Sequence, residues 1–139
     1  MAILLKCHKG IGPAVTGFAL VAPDNFSPRY DLDRLEGRFS RPTHKLYPQS
    51  FLDKILVLQT AKGGVASAWM LREMGARNKS PKAIIFDRAN TILAQGAAFA
   101  NLTMVDRFVD GDPTTLIRTG DELQVEPDAG LVTILNRDG

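Results

Sequence analysis

The sequence predicts a mixed α/β domain built around a central parallel β-α-β unit. Two short apolar runs, "DKILVLQT" (53–60) and "KAIIFD" (82–87), are bounded by polar residues, which is how strands buried on both faces of a parallel sheet read. Between them "VASAWMLREMGA" (65–76) is made of good helix formers. Toward both ends of the chain, β-branched runs alternate with Gly and Pro turns, the pattern of antiparallel pairing. At 139 residues the chain can bury a sizeable core, and one domain over 1–139 is expected.

In order, "AILLKC" (2–7) reads as a strand and "GIGP" (10–13) as a turn. "AVTGFALVA" (14–22) reads as a second strand, with Gly17 marking a bulge. The stretch 23–50 holds four prolines and many charges but no sustained apolar period, so a long loop is expected, with one helical turn within "SPRYDLDRLEG". After the strand at 53–60 comes the 65–76 helix, apolar on several sides through Val65, Ala68, Trp69, Met70, Leu71 and Met74, with Gly75 placed as its C-cap. The strand at 82–87 leads to a second helix in "NTILAQGAAFANL" (90–102), capped by Asn90, where Gly96 and the alanines allow close backbone packing. "DRFVD" (106–110), "DELQVEP" (121–127) and "GLVTIL" (130–135) read as strands, with "GDP" and "EPDAG" as turns.

Composition excludes several function classes. Hydrophobic residues make up 45% and charged residues 23%, which argues against disorder. The net charge of +2 is spread along the chain, with no like-charge block to form a nucleic-acid footprint. No segment has the length of a membrane span, and the start "MAILLKCHKG" has too short an apolar run for a signal peptide, so a cytoplasmic protein is expected. The single cysteine, Cys7, has no internal disulfide partner, and the Cys7–His8 pair lacks the further ligands a zinc site needs. No metal site is expected in this chain.

The stretch "LQTAKGGVASAW" (58–69) puts glycines between a strand and the first turn of a helix. Amide groups there have no intrahelical partners and carry partial positive charge. Glycine lets an anion approach that backbone, and Lys62 adds a full charge, so the turn is suited to a carboxylate or phosphate. Neither the phosphate-loop spacing nor the dinucleotide fingerprint is present, and a tight βα connection with no ligand fits the same residues.

From about Thr16 to Ile134 the chain resembles the small subunit, or swivel domain, of the aconitase X family. The resemblance rests on an ordered set: the strand into the "AKGG" turn, then "SPKAIIF", then "TILAQGA". Upstream, "GFALVAPDNFSPRYDLDRLEG" and "RPTHKLYPQSFLDKILVL" resemble the family's early strand and long loop. What it implies is a swivelling β/β/α domain of aconitase type and a hydro-lyase function. Family members dehydrate small hydroxy acids such as cis-3-hydroxy-L-proline or phosphomevalonate. The resemblance further implies a large partner subunit that carries an iron–sulfur cluster or another metal and most of the active site, with the small domain capping the cleft. Lys62, Gly63, Gly64 and Val65 would then bind the substrate carboxylate.

This sequence departs from the family's G-K-G-S turn. The first glycine falls on Ala61, and the serine that serves the family as catalytic base falls on Gly64. Ser67, three positions on, becomes the candidate base, or else a helix-capping residue. His44 in the long loop faces either the cleft or solvent, and Asp87 at the end of a strand either sits where open α/β sheets bind ligands or caps the next turn, while Arg29, Arg38 and Arg41 either bind an anionic substrate or are scattered surface charge. The loss of the serine also fits a non-catalytic module that keeps the fold, binds a partner or forms a homo-oligomer through the apolar helix face. A stand-alone binder of small molecules using the glycine turn is a third reading.

Overall fold

The computed structural model describes residues 3–26, 32–33, 37–39, 45–46, 49–61, 73–74, 81–89, 91–99 and 101–137. Ten strands lie within them: β1 (Ile3–Lys6), β2 (Val15–Val21), β3 (Asn25–Phe26), β4 (Leu32–Asp33), β5 (Arg38–Phe39), β6 (Lys54–Ala61), β7 (Ala83–Arg88), β8 (Thr103–Val105), β9 (Glu122–Glu126) and β10 (Leu131–Asn136). Among the described residues, α1 spans Thr91–Phe99 and α2 spans Pro113–Leu116, residues 73 and 74 are also helical, and a 3-10 turn spans Pro127–Ala129.

One mixed sheet runs in the order β1-β10-β9-β2-β6-β7-β8, with β3 added beside β6. The strands β2, β6, β7 and β8 are parallel, whereas β2–β9, β9–β10 and β10–β1 are antiparallel. The central strands read as unbroken apolar runs because both their faces are covered. Ile55, Leu56, Val57 and Leu58 are all fully buried, as are Ala83, Ile84, Ile85 and Phe86. The pleat divides them between two cores. Leu56, Leu58, Ile84 and Phe86 pack with Phe39, Phe51, Met74 and Ala97 on the helical face. Ile55, Val57, Ala83 and Ile85 pack with Leu5, Phe108, Ile117, Leu123, Val125, Val132 and Ile134, most of them from the antiparallel strands.

The second core is enclosed because the sheet curls until its edges meet. The chain leaving β1 crosses to β8: Cys7 N donates to Gly130 O at 2.9 Å, His8 N to Asp106 O at 3.1 Å, and Ile11 and Met104 exchange bonds at 3.0 Å each. Glycine is required at this crossing. A Cβ on Gly10 would lie 2.1 Å from Met104 O, and Gly12, at φ 86°, has Thr103 Cα 2.7 Å from where its Cβ would be. The antiparallel half of the sheet thus forms one layer, the parallel half a second and the helical residues a third, in keeping with the expected β/β/α swivel class.

Most elements lie where the sequence puts them. Residues 73 and 74 are helical, within the expected 65–76 helix, and Met74 is buried; the other residues of that helix, including Trp69, Met70 and Gly75, lie outside the described residues. Four expectations need correction. Gly17 pairs in register with Leu123, and the irregularity falls instead between Ile134 and Asn136. The strand expected at 106–110 lies at Thr103–Val105, because Arg107 takes φ 59°, which no strand accommodates. Residues 32–33, inside the stretch expected to hold a helical turn, form a strand paired with β5. The "GDP" turn opens α2: Asp112 Oδ1 accepts from Thr114 N at 2.9 Å and Pro113 occupies the first turn.

Candidate functional site

Parallel strands bring their carboxyl ends to one edge, and in open α/β sheets ligands bind beyond that edge. Here β6 ends at Ala61 between β3, paired through Asn25–Thr60 and Phe26–Ala61, and β7, paired through Thr60–Arg88. The glycine turn follows at residue 62. Lys62, Gly63, Gly64, Val65 and Ser67, the sequence-derived site residues, lie outside the described residues, as do His44, Arg29 and Arg41. What is described is the frame that delivers them.

That frame is fixed by polar contacts on either side of β6. Gln59 N donates to Asp24 O at 2.9 Å, and Asp24 Oδ2 accepts from Lys45 N at 3.2 Å. Gln59 Nε2 donates to Asp112 Oδ2 at 2.9 Å, tying the last turn of β6 to the cap of α2. Burial works to raise the Asp112 pKa, but the bonds from Gln59 and Thr114 outweigh it and hold the carboxyl below its ordinary value. Next along the edge come Asp87 and Arg88 at the end of β7, then Asp106 and Arg107 after β8. Arg107 N donates to Asp87 O at 3.0 Å, and Asp106 Oδ2 accepts from Ala89 N at 3.0 Å. Of the candidates named from sequence, Asp87 is thus on this edge, half-buried, while Arg38 is exposed on β5, whose partners are β4 and Ser50. Asp106 and Arg107 are charged edge residues that the sequence reading passed over as part of a strand.

Among the described residues the donors do not fit a metal of the kind the family implies. Among the described residues no group of three or more His, Cys, Asp or Glu side chains converges. Burial, and then the charge of Asp106, push the Cys7 thiol up to about 11, so it stays protonated at neutral pH and is a poor ligand. Among the described residues no helix is long and apolar enough to cross a membrane.

A single mixed sheet, curled so that its antiparallel half covers one face of its parallel half while helical residues cover the other, defines a swivel-type β/β/α domain. The model of the aconitase X swivel domain matches residues 4–134, and the chain belongs to that family. It is 29% identical over 137 residues to the phosphomevalonate dehydratase small subunit of Methanococcoides burtonii, covering 99% of each chain. It is 32% identical over 131 residues to the protein of the same name from Thermococcus kodakarensis, covering 94% of this chain and 96% of the relative. Among solved structures, aconitase X from Thermococcus kodakaraensis in its holo-form matches with a TM-score of 0.89 at 30% identity, over 96% of this chain and 99% of that one. A UPF0107 protein solved by solution NMR matches with a TM-score of 0.81 at 26% identity, over 96% of this chain and all of that one.

Proposed function

We propose that the chain is the small subunit of an aconitase X-type hydro-lyase that dehydrates a small hydroxy acid of the phosphomevalonate type, capping an active site borne mostly by a large subunit. The observation that carries this reading is the family match over residues 4–134, joined to relatives named phosphomevalonate dehydratase small subunits over nearly their whole lengths. A hydroxyproline-type acid is the alternative substrate. The position of β6 supports the reading, since that strand hands the chain to the glycine turn at the sheet's carboxyl edge.

In this account the amides of Gly63, Gly64 and Val65 and the Lys62 ammonium hold the substrate carboxylate. Their positive field lowers the cost of the negative charge that builds when the neighbouring carbon loses its proton. Ser67 is the base that takes that proton, in place of the serine that Gly64 lacks. The iron–sulfur cluster or other metal belongs to the large subunit, and departure of the hydroxyl is not assigned to this chain. Gly64 also favours a second reading: a non-catalytic swivel module that binds the partner, or a second copy of itself, without turnover.

The test is co-expression with a large aconitase X subunit and assay of both acid classes. Turnover of phosphomevalonate is expected only when the two chains are together. Ser67→Ala is expected to lower kcat by about 100-fold or more. An active pair indifferent to Ser67→Ala removes that residue as the base, and a stable but inert complex supports the non-catalytic reading.

A further inference from the structure

We propose that the cleft between residues 9–11, β8 and the start of α1 is an anion subsite that takes a phosphoryl group, with Arg107 and Lys9 as its cations. The inference deepens the reading above and rests on it, because the cleft lies on the carboxyl edge at which β6 ends. It has a volume of about 280 Å³, and its walls include Lys9, Gly10, Ala89, Ala94, Asp106 and Arg107. Both cations are exposed. Ala94 belongs to the first turn of α1, whose amide ends add partial positive charge to the same wall.

Asp106 is the opposing charge, and its role is to position. Its Oδ2 accepts from Ala89 N at 3.0 Å and lies 3.5 Å from Arg107 Nε. One carboxylate so engaged leaves the two cations and the helix start in excess. Arg107 holds a backbone conformation that favours glycine, φ 59°, anchored by its N–H on Asp87 O at 3.0 Å. Strain kept at a charged residue on a cleft wall points to use of its side chain. The opposite wall is rigid, since Gly10 sits against Met104 O too closely for any side chain. From the end of β6 to the end of β8 is two strand spacings, roughly 10 Å. A short-chain acid with a terminal phosphate matches that span, with its phosphate in the cleft and its carboxylate toward the end of β6.

The test is an NMR titration of the full chain with inorganic phosphate and, separately, with acetate. Phosphate is expected to shift the amides of Gly10, Ala89, Ala94 and Arg107 in a saturable way. Arg107→Gly, which suits the left-handed backbone, is expected to weaken that binding at least tenfold without lowering the thermal midpoint. Arg107→Lys is expected to bind within a few-fold of the parent chain. Phosphate binding unchanged in Arg107→Gly, shifts confined to other residues, or no saturable shift at all overturns the subsite. Acetate probes the turn: shifts at residues 62–65, lost in Lys62→Ala, support the reading above whatever the cleft does. Failure of acetate with success of phosphate leaves the cleft standing and removes the carboxylate role of the turn.

Discussion

The two halves of the sheet use charge in opposite ways. In the antiparallel half, charge is committed to holding the chain together. Asp121 is buried and accepts from Arg118 N at 2.8 Å, from Arg137 Nε at 3.0 and 3.2 Å and from Arg137 Nη2 at 2.8 Å, while the same Nη2 donates to Leu116 O at 2.9 Å. The chain's end is thereby clamped to α2 and the start of β9. In the parallel half Thr103 of β8 is the one buried polar residue among those described, and Lys9, Asp87, Arg88 and Arg107 stand at the carboxyl edge with at least part of their surface in solvent. A ligand can recruit charges of the second kind but not of the first. Stability resides in the apolar strands and the clamp, whereas the edge charges stay open to a ligand.

Substitutions can break or sharpen that contrast. The largest effect is expected from Phe86→Ala, which empties a fully buried site in the helical-face core and should cost about 3–5 kcal/mol by denaturant unfolding. A loss under 1 kcal/mol would show that the parallel half is not held by its two-sided burial. Arg137→Ala should cost about 3 kcal/mol, since it strands the buried Asp121 carboxylate, and should leave turnover of the native complex unchanged. Gly10→Ala forces a methyl against Met104 O and should cost about 1–3 kcal/mol where the chain after β1 meets β8. Asp112→Ala removes the α2 cap and the Gln59 contact, and should cost about 1 kcal/mol.

Acid sharpens the same contrast. Burial acts to raise the Asp121 pKa, but the bonds from Arg137 and Arg118 prevail and hold it below the ordinary 3.8. A depressed carboxylate pKa contributes stability that is present above the unfolded value and lost as pH falls through the folded one. Thermal midpoints should therefore drop below about pH 4, and the drop should be smaller in Arg137→Ala, where the clamp is already gone.

The strands legible in the sequence are those whose period or apolar run is set locally. β6 and β7 announce themselves by bounded apolar runs, and β9 and β10 by alternation between turns. β3 is two residues long, too short for any period to show. The meeting of the sheet's edges is not legible because Ile11 and Met104 are far apart in the chain, and nothing near either residue encodes their pairing. Phe108 is buried and Val109 exposed, which imitates strand alternation, while the left-handed turn at Arg107 carries no glycine to reveal it. Of the candidate site, the glycine turn, its lysine and the missing serine are read from sequence alone and lie outside the described residues. The carboxyl-edge cations after β8 became visible only once β7 and β8 were seen to lie side by side.

The central claim is that this domain works as one half of a hydro-lyase, and steady-state dehydration of phosphomevalonate by the reconstituted pair tests it most directly. The account predicts that neither chain turns over alone, that the pair does, and that Ser67→Ala abolishes turnover while the complex stays intact. A correctly assembled pair that fails to dehydrate phosphomevalonate or hydroxyproline, yet gains activity with Gly64→Ser, would contradict it.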